Sequence, residues 1–121
     1  MTLSTTNLTP LVVFVDVDDT LIRSAGTKRI AITSVAQHVS SLYAEGATLF
    51  CWSSGGANYA RTIAEELGIA NCFAGFLPKP NVIIDDQEID KWRRLKQIHP
   101  GRCSAMSVEK YWQLVNKTPI T

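Results

Sequence analysis

Apolar positions along the chain fall into short blocks, and several of them stop at clusters of polar residues. Leu11-Val12-Val13-Phe14-Val15 is an unbroken β-branched and aromatic run that ends at Asp16. Unbroken rather than alternating apolarity predicts a strand buried on both faces, as in a parallel sheet. A loop with Gly26, Thr27, Lys28 and Arg29 follows, and then Ile32, Val35, Ala36, Val39, Leu42 and Tyr43 recur three and four apart. That spacing predicts an amphipathic helix closed by Gly46. Ala47 to Trp52 predicts a second strand, which runs into Ser53-Ser54-Gly55-Gly56. Ala57, Ala60, Ile63, Ala64 and Leu67 predict a second helix, with Gly68 at its end.

Beyond Gly68 the blocks shorten. Cys72 to Leu77 predicts a third strand, and Val82-Ile83-Ile84 a fourth that again runs into acids, Asp85 and Asp86. Ile89, Trp92 and Leu95 have helical spacing within Gln87 to Leu95. Ser107 can N-cap a last helix that carries Val108, Tyr111, Trp112 and Val115 on one face. Cys103 to Met106 is the candidate for a fifth strand. Strands that alternate with helices imply an α/β fold with a mostly parallel sheet of four or five strands. In such sheets ligands gather at the carboxyl ends of the strands.

Composition narrows the function classes. The 121 residues are 45% hydrophobic and 19% charged, which suits one globular domain. We expect a polar N-terminal arm over 1–10 and a single core over 11–121. Twelve Lys and Arg against eleven Asp and Glu give a formal charge of +1. Near-neutrality argues against a protein that coats nucleic acid or sits on an anionic membrane. The run 11–15 is far too short to span a bilayer. Cys51, Cys72 and Cys103 form no C-x-x-C pair, so reduced thiols and a cytoplasmic location are expected.

The polar clusters carry the chemistry. In Asp16-Val17-Asp18-Asp19-Thr20, strand alternation points Asp16 and Asp18 the same way. Two carboxylates in one small volume call for a cation or a shared proton, although Asp and Thr also close ordinary turns. Ser53-Ser54-Gly55-Gly56 lies between a strand and a helix, where hydroxyls and backbone N–H groups make a phosphate seat. An N-cap with permissive glycines has the same composition. Lys79, between Pro78 and Pro80, is a positive charge on a stiff backbone. Asp85-Asp86 ends another apolar run, and neighbouring strand ends lie about 5 Å apart, so both acid pairs can meet across one gap. Carboxylate oxygens with room for water and phosphate are what Mg2+ prefers. Acids, hydroxyl, lysine, acids, each at a strand end, point to one phosphoryl-transfer site.

Taken together, residues 11 to 95 resemble the haloacid dehalogenase (HAD) superfamily of aspartate-nucleophile phosphohydrolases. Phe14-Val15-Asp16-Val17-Asp18-Asp19-Thr20-Leu21 is similar to that family's first motif and Phe50-Cys51-Trp52-Ser53 to its second. Lys79 resembles the third and Ile83-Ile84-Asp85-Asp86 the fourth. The resemblance implies a compact Rossmann-like three-layer sandwich and a phosphatase that forms an aspartyl-phosphate on Asp16. Asp18 would protonate the leaving oxygen and later activate water. Ser53, preferred to Ser54, would bind the phosphoryl oxygens, and Lys79 would offset their charge. Mg2+ would be held by Asp16, the Asp18 carbonyl, and Asp86 or Asp85. Asp19 replaces the glycine common at its place in the family, although relatives also carry aspartate there.

The gaps 21–48 and 55–78 are too short for a folded lid, so the capless branch is implied. An open site then needs a large substrate or a neighbouring subunit of a homo-oligomer to exclude water. Arg23, Lys28 and Arg29 lie where the family carries a small flap, and the basic run around Trp92 suits a solvated helix face. The alternative is a module that keeps the fold and binds a protein partner without turnover.

Overall fold

The apolar run after Pro10 becomes the first strand of a parallel sheet in the computed structural model, which describes residues 9–116. Strand β1 (Val12–Asp16) is followed by β2 (Ile22–Ala25), β3 (Lys28–Ala31), helix α1 (Thr33–Ala44) and β4 (Thr48–Ser53). Helix α2 (Ala57–Glu66), β5 (Phe73–Pro78) and α3 (Val108–Asn116) complete the regular elements, with short 3-10 turns at Ala70–Cys72, Ile89–Lys91 and Pro100–Ala105. The sheet order is β1-β4-β5, all parallel, with α1 and α2 in the two connections. Phe50 pairs with Gly75 just after a register shift, and a Cβ on Gly75 would stand 3.2 Å from the Phe50 ring. Among the described residues, no helix is long and apolar enough to cross a membrane.

Alternation along the strands decides which face is covered. Leu49, Cys51 and Ser53 of β4 are buried while Thr48, Phe50 and Trp52 are only half-buried. Val15, Leu49, Cys51 and Phe73 join Val35, Val39 and Leu42 of α1 and Ala60, Ile63 and Ala64 of α2 in one core. Each fully buried Leu or Ile there contributes about 1.5–3 kcal/mol. The alanines let α2 approach β4 closely. The opposite face carries Val12, Phe14 and Leu77, all exposed. Phe14 meets Phe50 at 5.3 Å and Trp52 edge-on at 5.0 Å between ring centroids.

Several expectations change here. The fold is α/β and mostly parallel, as expected, and the described residues form a three-stranded parallel sheet and a separate two-stranded antiparallel one. Val82-Ile83-Ile84 is not a strand: it is irregular, and Ile84 is 97% exposed. An apolar run reports a tendency to be buried, not a partner, and Pro78 and Pro80 remove two backbone donors where the chain leaves β5. Gln87 to Leu95 forms only the turn Ile89–Lys91, and Ile89 and Leu95 stay half-exposed, so the apolar stripe that would hold a helix against the core is not buried. Cys103 to Met106 lies largely in the 3-10 turn, which starts at Pro100 and is capped by His99 accepting from the Gly101 N–H. The loop after β1 is a hairpin, closed at Gly26-Thr27 with Gly26 at φ +65. A positive φ at the first turn position is what a two-residue II′ hairpin requires. Of the expected N-terminal arm, residues 1–8 lie outside the described residues, as do 117–121 of the core.

Helix α3 is held by polar contacts at both ends of its first turns. Ser107 Oγ accepts from the Lys110 N–H at 3.2 Å, the N-cap the sequence predicts, and Glu45 at the end of α1 accepts from the Val108 N–H at 2.8 Å. Tyr111 Oη and His38 Nε2 share a hydrogen bond of 2.8 Å. Burial lowers the His38 pKa, opposed by the nearby Glu45. Burial, with a smaller contribution from Cys103, pushes the Tyr111 phenol up to about 12. His38 therefore stays neutral in the fold, whereas the unfolded chain takes up a proton below about pH 6.5. Stability attached to this contact falls as pH drops through that value. Thermal unfolding between pH 7.5 and 5.5 should show a falling midpoint for the native chain and a flatter profile for His38→Gln.

Candidate functional site

The strand register sets the site. Asp16 pairs with Trp52 and Ser53 with Pro78, so the ends of β1, β4 and β5 stand side by side. Asp16, Ser53 and Lys79 are brought together from three distant parts of the chain. Lys79 Nζ lies 3.1 Å from Asp16 Oδ1, and Thr20 Oγ1 donates to Asp16 Oδ2 at 3.2 Å. Both carboxylate oxygens are thus held in orientation. The Lys79 backbone N–H donates to the Ser53 carbonyl at 2.9 Å, and its ammonium lies 5.8 Å from the Trp52 ring centroid.

Thr20 reaches back because the chain turns sharply after β1. The Val17 carbonyl accepts from the N–H groups of Thr20, Leu21 and Ile22, and the Asp19 N–H donates to the Ile22 carbonyl at 2.7 Å. Asp19 takes φ +62, among the described residues the one non-glycine in the left-handed region. Aspartate tolerates that region better than most residues, which accounts physically for an aspartate where a glycine would also serve. Val17 is fully buried between Asp16 and Asp18, so both carboxylates project away from the core.

Ser53 is 1% exposed, and its Oγ accepts from the Gly55 N–H at 2.9 Å, leaving its own proton free to be donated. Gly56 caps α2 at φ +104, and no side chain satisfies the first turn of that helix. Those N–H groups and the positive end of the helix dipole face the loop. Ser54 is exposed. The burial of Cys51, with the nearby Asp16 adding to it, pushes its thiol up to about 12, so Cys51 is a packing residue and no nucleophile.

Asp18 is exposed, and the Tyr59 hydroxyl donates to its Oδ1 at 2.8 Å. The Tyr59 pKa is raised, first by desolvation and next by this bond to Asp18, which keeps the phenol a donor. Asp85 and Asp86 are also exposed, and Asp85 Oδ1 accepts from the Gln87 N–H at 2.8 Å. Among the described residues, no group of three His, Cys, Asp or Glu gathers that could hold a metal ion, so Asp85 and Asp86 do not cluster with Asp16 and Asp18. Arg29 contacts both carboxylate oxygens of Glu66, at 2.9 and 3.2 Å, and ties the hairpin to α2. Arg23 and Lys28 are exposed on the same hairpin.

Sequence patterning identified Asp16, Asp18, Ser53 and Lys79 but overlooked Thr20 and Tyr59 as partners of the acids. Tyr59 is not among the apolar positions that predict α2, although it packs partly against the core, and no spacing rule pairs it with a residue 41 positions away. No protein-family model, no curated protein and no solved structure matches the chain. The turn at Asp19 is testable on its own. Asp19→Gly should leave stability unchanged or higher, whereas Asp19→Val should cost about 1–2 kcal/mol in urea unfolding, because a β-branched side chain resists the left-handed region.

Proposed function

We propose that the chain is a Mg2+-dependent phosphohydrolase that cleaves a phosphomonoester through an aspartyl-phosphate on Asp16. The observation that carries this reading is the joint placement of Asp16, Lys79 and the Ser53 loop at three adjacent strand ends. Asp16 is an oriented carboxylate, half-buried and held by Thr20 and Lys79. A covalent intermediate on it divides one hard displacement into two easier ones. The Lys79 ammonium, the Ser53 hydroxyl and the open first turn of α2 offer a phosphoryl group positive charge and donors. Asp18, two residues on and exposed, is the group that exchanges protons with the leaving oxygen and with water.

The donor set suits Mg2+, since the Asp16 carboxylate and the Asp18 backbone carbonyl offer hard oxygens. They would hold the ion together with Asp86 and Asp85. When bound, the cation supplies charge neutralisation at the transferred phosphoryl group. Asp85 and Asp86, on the irregular segment after β5, are not gathered with Asp16 and Asp18 and would join them only on binding the ion. We regard the protein as capless, with an open site closed by a large substrate or a second copy of the chain. The three buried free thiols are in keeping with a cytoplasmic location.

A phosphate-release screen over sugar phosphates, nucleotides, phosphopeptides and lipid-precursor phosphates tests the activity and names the substrate class. Hydrolysis should require Mg2+, stop in EDTA, and vanish in Asp16→Asn. Asp18→Asn should retain Mg2+ binding and slow turnover by about 10² to 10⁴. A folded protein that binds Mg2+ and releases phosphate from none of them would be a binding module instead.

A further inference from the structure

The Tyr59–Asp18 hydrogen bond joins the first turn of α2 to the turn after β1, and it is built rather than incidental. Its ring lies against Gly55: a Cβ there would stand 2.9 Å from Tyr59 Cδ2, 3.3 Å from Cγ and 3.4 Å from Ser53 Oγ. Only a residue without a side chain lets the ring roof the Ser53 loop and reach across to Asp18. The helix that carries Tyr59 is fastened to the hairpin by Arg29 and Glu66, so the donor sits on a braced element. Asp18, in contrast, is an exposed side chain on a turn and needs an external hold to keep one orientation.

We propose that Tyr59 is a positioning residue for Asp18: by holding Oδ1 it leaves Oδ2 as the oxygen that gives and takes the proton. This rests on the phosphohydrolase reading above. A phenol donates to a carboxylate and, more weakly, to the carbonyl oxygen of a neutral carboxyl, so a partner for the hydroxyl is present in both protonation states of Asp18. In the first step an Asp16 oxygen bonds to phosphorus and the ester P–O bond breaks, its electron pair going to the leaving oxygen. The proton on Asp18 Oδ2 passes to that oxygen, and the alcohol or phenol departs. In the second step water gives a proton to Oδ2 and bonds to phosphorus, and the Asp16–phosphorus bond breaks with its electron pair returning to Asp16. Oδ2 is used twice from one position, with no side-chain rotation between steps.

A general acid matters most when the leaving oxygen is basic, and leaving-group dependence therefore separates positioning from stability. In Tyr59→Phe the ring still fits Gly55 and only the hydroxyl is lost. With phenyl phosphate kcat/KM should fall about 10- to 100-fold, a part of the roughly 10² to 10⁴ that general acid catalysis supplies, while with 4-nitrophenyl phosphate the fall stays under about 3-fold. KM should change less than about 2-fold for either substrate, since Tyr59 touches Asp18 and not the phosphoryl group. Gly55→Ala, which displaces the ring, should give the same leaving-group signature, and Tyr59→Phe in an Asp18→Asn background should add nothing further. An equal fall on both esters, or no fall, in an enzyme whose Asp18→Asn variant does discriminate between them would overturn the role of Tyr59. A native chain inactive on both esters and on the wider screen would overturn the phosphohydrolase reading itself, and this proposal with it.

Discussion

Everything at the candidate site depends on three parallel strands ending in register. The Asp16–Lys79 ion pair is its visible product, but the pair alone is a weak organiser. Both side chains are about one-third exposed, and a solvated pair contributes about 1 kcal/mol or less. What places it is backbone. The Ser53 carbonyl accepts from the N–H groups of Lys79 and Gly56, which binds the end of β4 to the lysine and to the start of α2 together. Val17 does the same on the other side, gathering three N–H groups into the turn that returns Thr20 to Asp16. Two carbonyls thus fix the loops around a carboxylate.

That arrangement explains how a chain of 121 residues forms a polar site without a large core. The helices pack on a single face of the sheet, and the buried cluster includes Cys51 directly beneath the strand-end groups. The thiol is raised to about 12 and is chemically silent, a neutral floor under a charged surface. The other face keeps the Phe14, Phe50 and Trp52 rings in contact with one another but only half covered. Parallel sheets are seldom left bare on one side. The bare face, the free edge of β1 and the run at 82–84 are apolar surfaces left exposed among the described residues.

The sequence conveyed most where apolar spacing and buried surface coincide. Helices α1 and α2 and strands β1, β4 and β5 fall within a residue or two of the blocks that predict them, because each has a core partner. It conveyed least after Pro78. Val82-Ile83-Ile84 has the composition of a buried strand, and Ile89, Trp92 and Leu95 have the spacing of a helix. Among the described residues Val82, Ile83, Ile84, Ile89 and Leu95 stay exposed, and Trp92 is only partly covered. At the site, Asp16, Ser53 and Lys79 were legible because strand ends collect ligands in α/β sheets. The Tyr59 bond to Asp18 was not, since it depends on a glycine several residues away and on tertiary placement that periodicity does not encode.

The central claim is that Asp16 becomes phosphorylated. Borohydride reduces an acyl phosphate to an alcohol and leaves an ordinary carboxylate untouched, so quenching the protein during turnover and mapping the peptides by mass spectrometry reads the intermediate directly. Position 16 should appear as homoserine only when a hydrolysed phosphomonoester and Mg2+ are both present, and more strongly when Asp18 is replaced by Asn and hydrolysis of the intermediate slows. Turnover with Asp16 unmodified throughout, or with the label on a different carboxylate, would contradict the account.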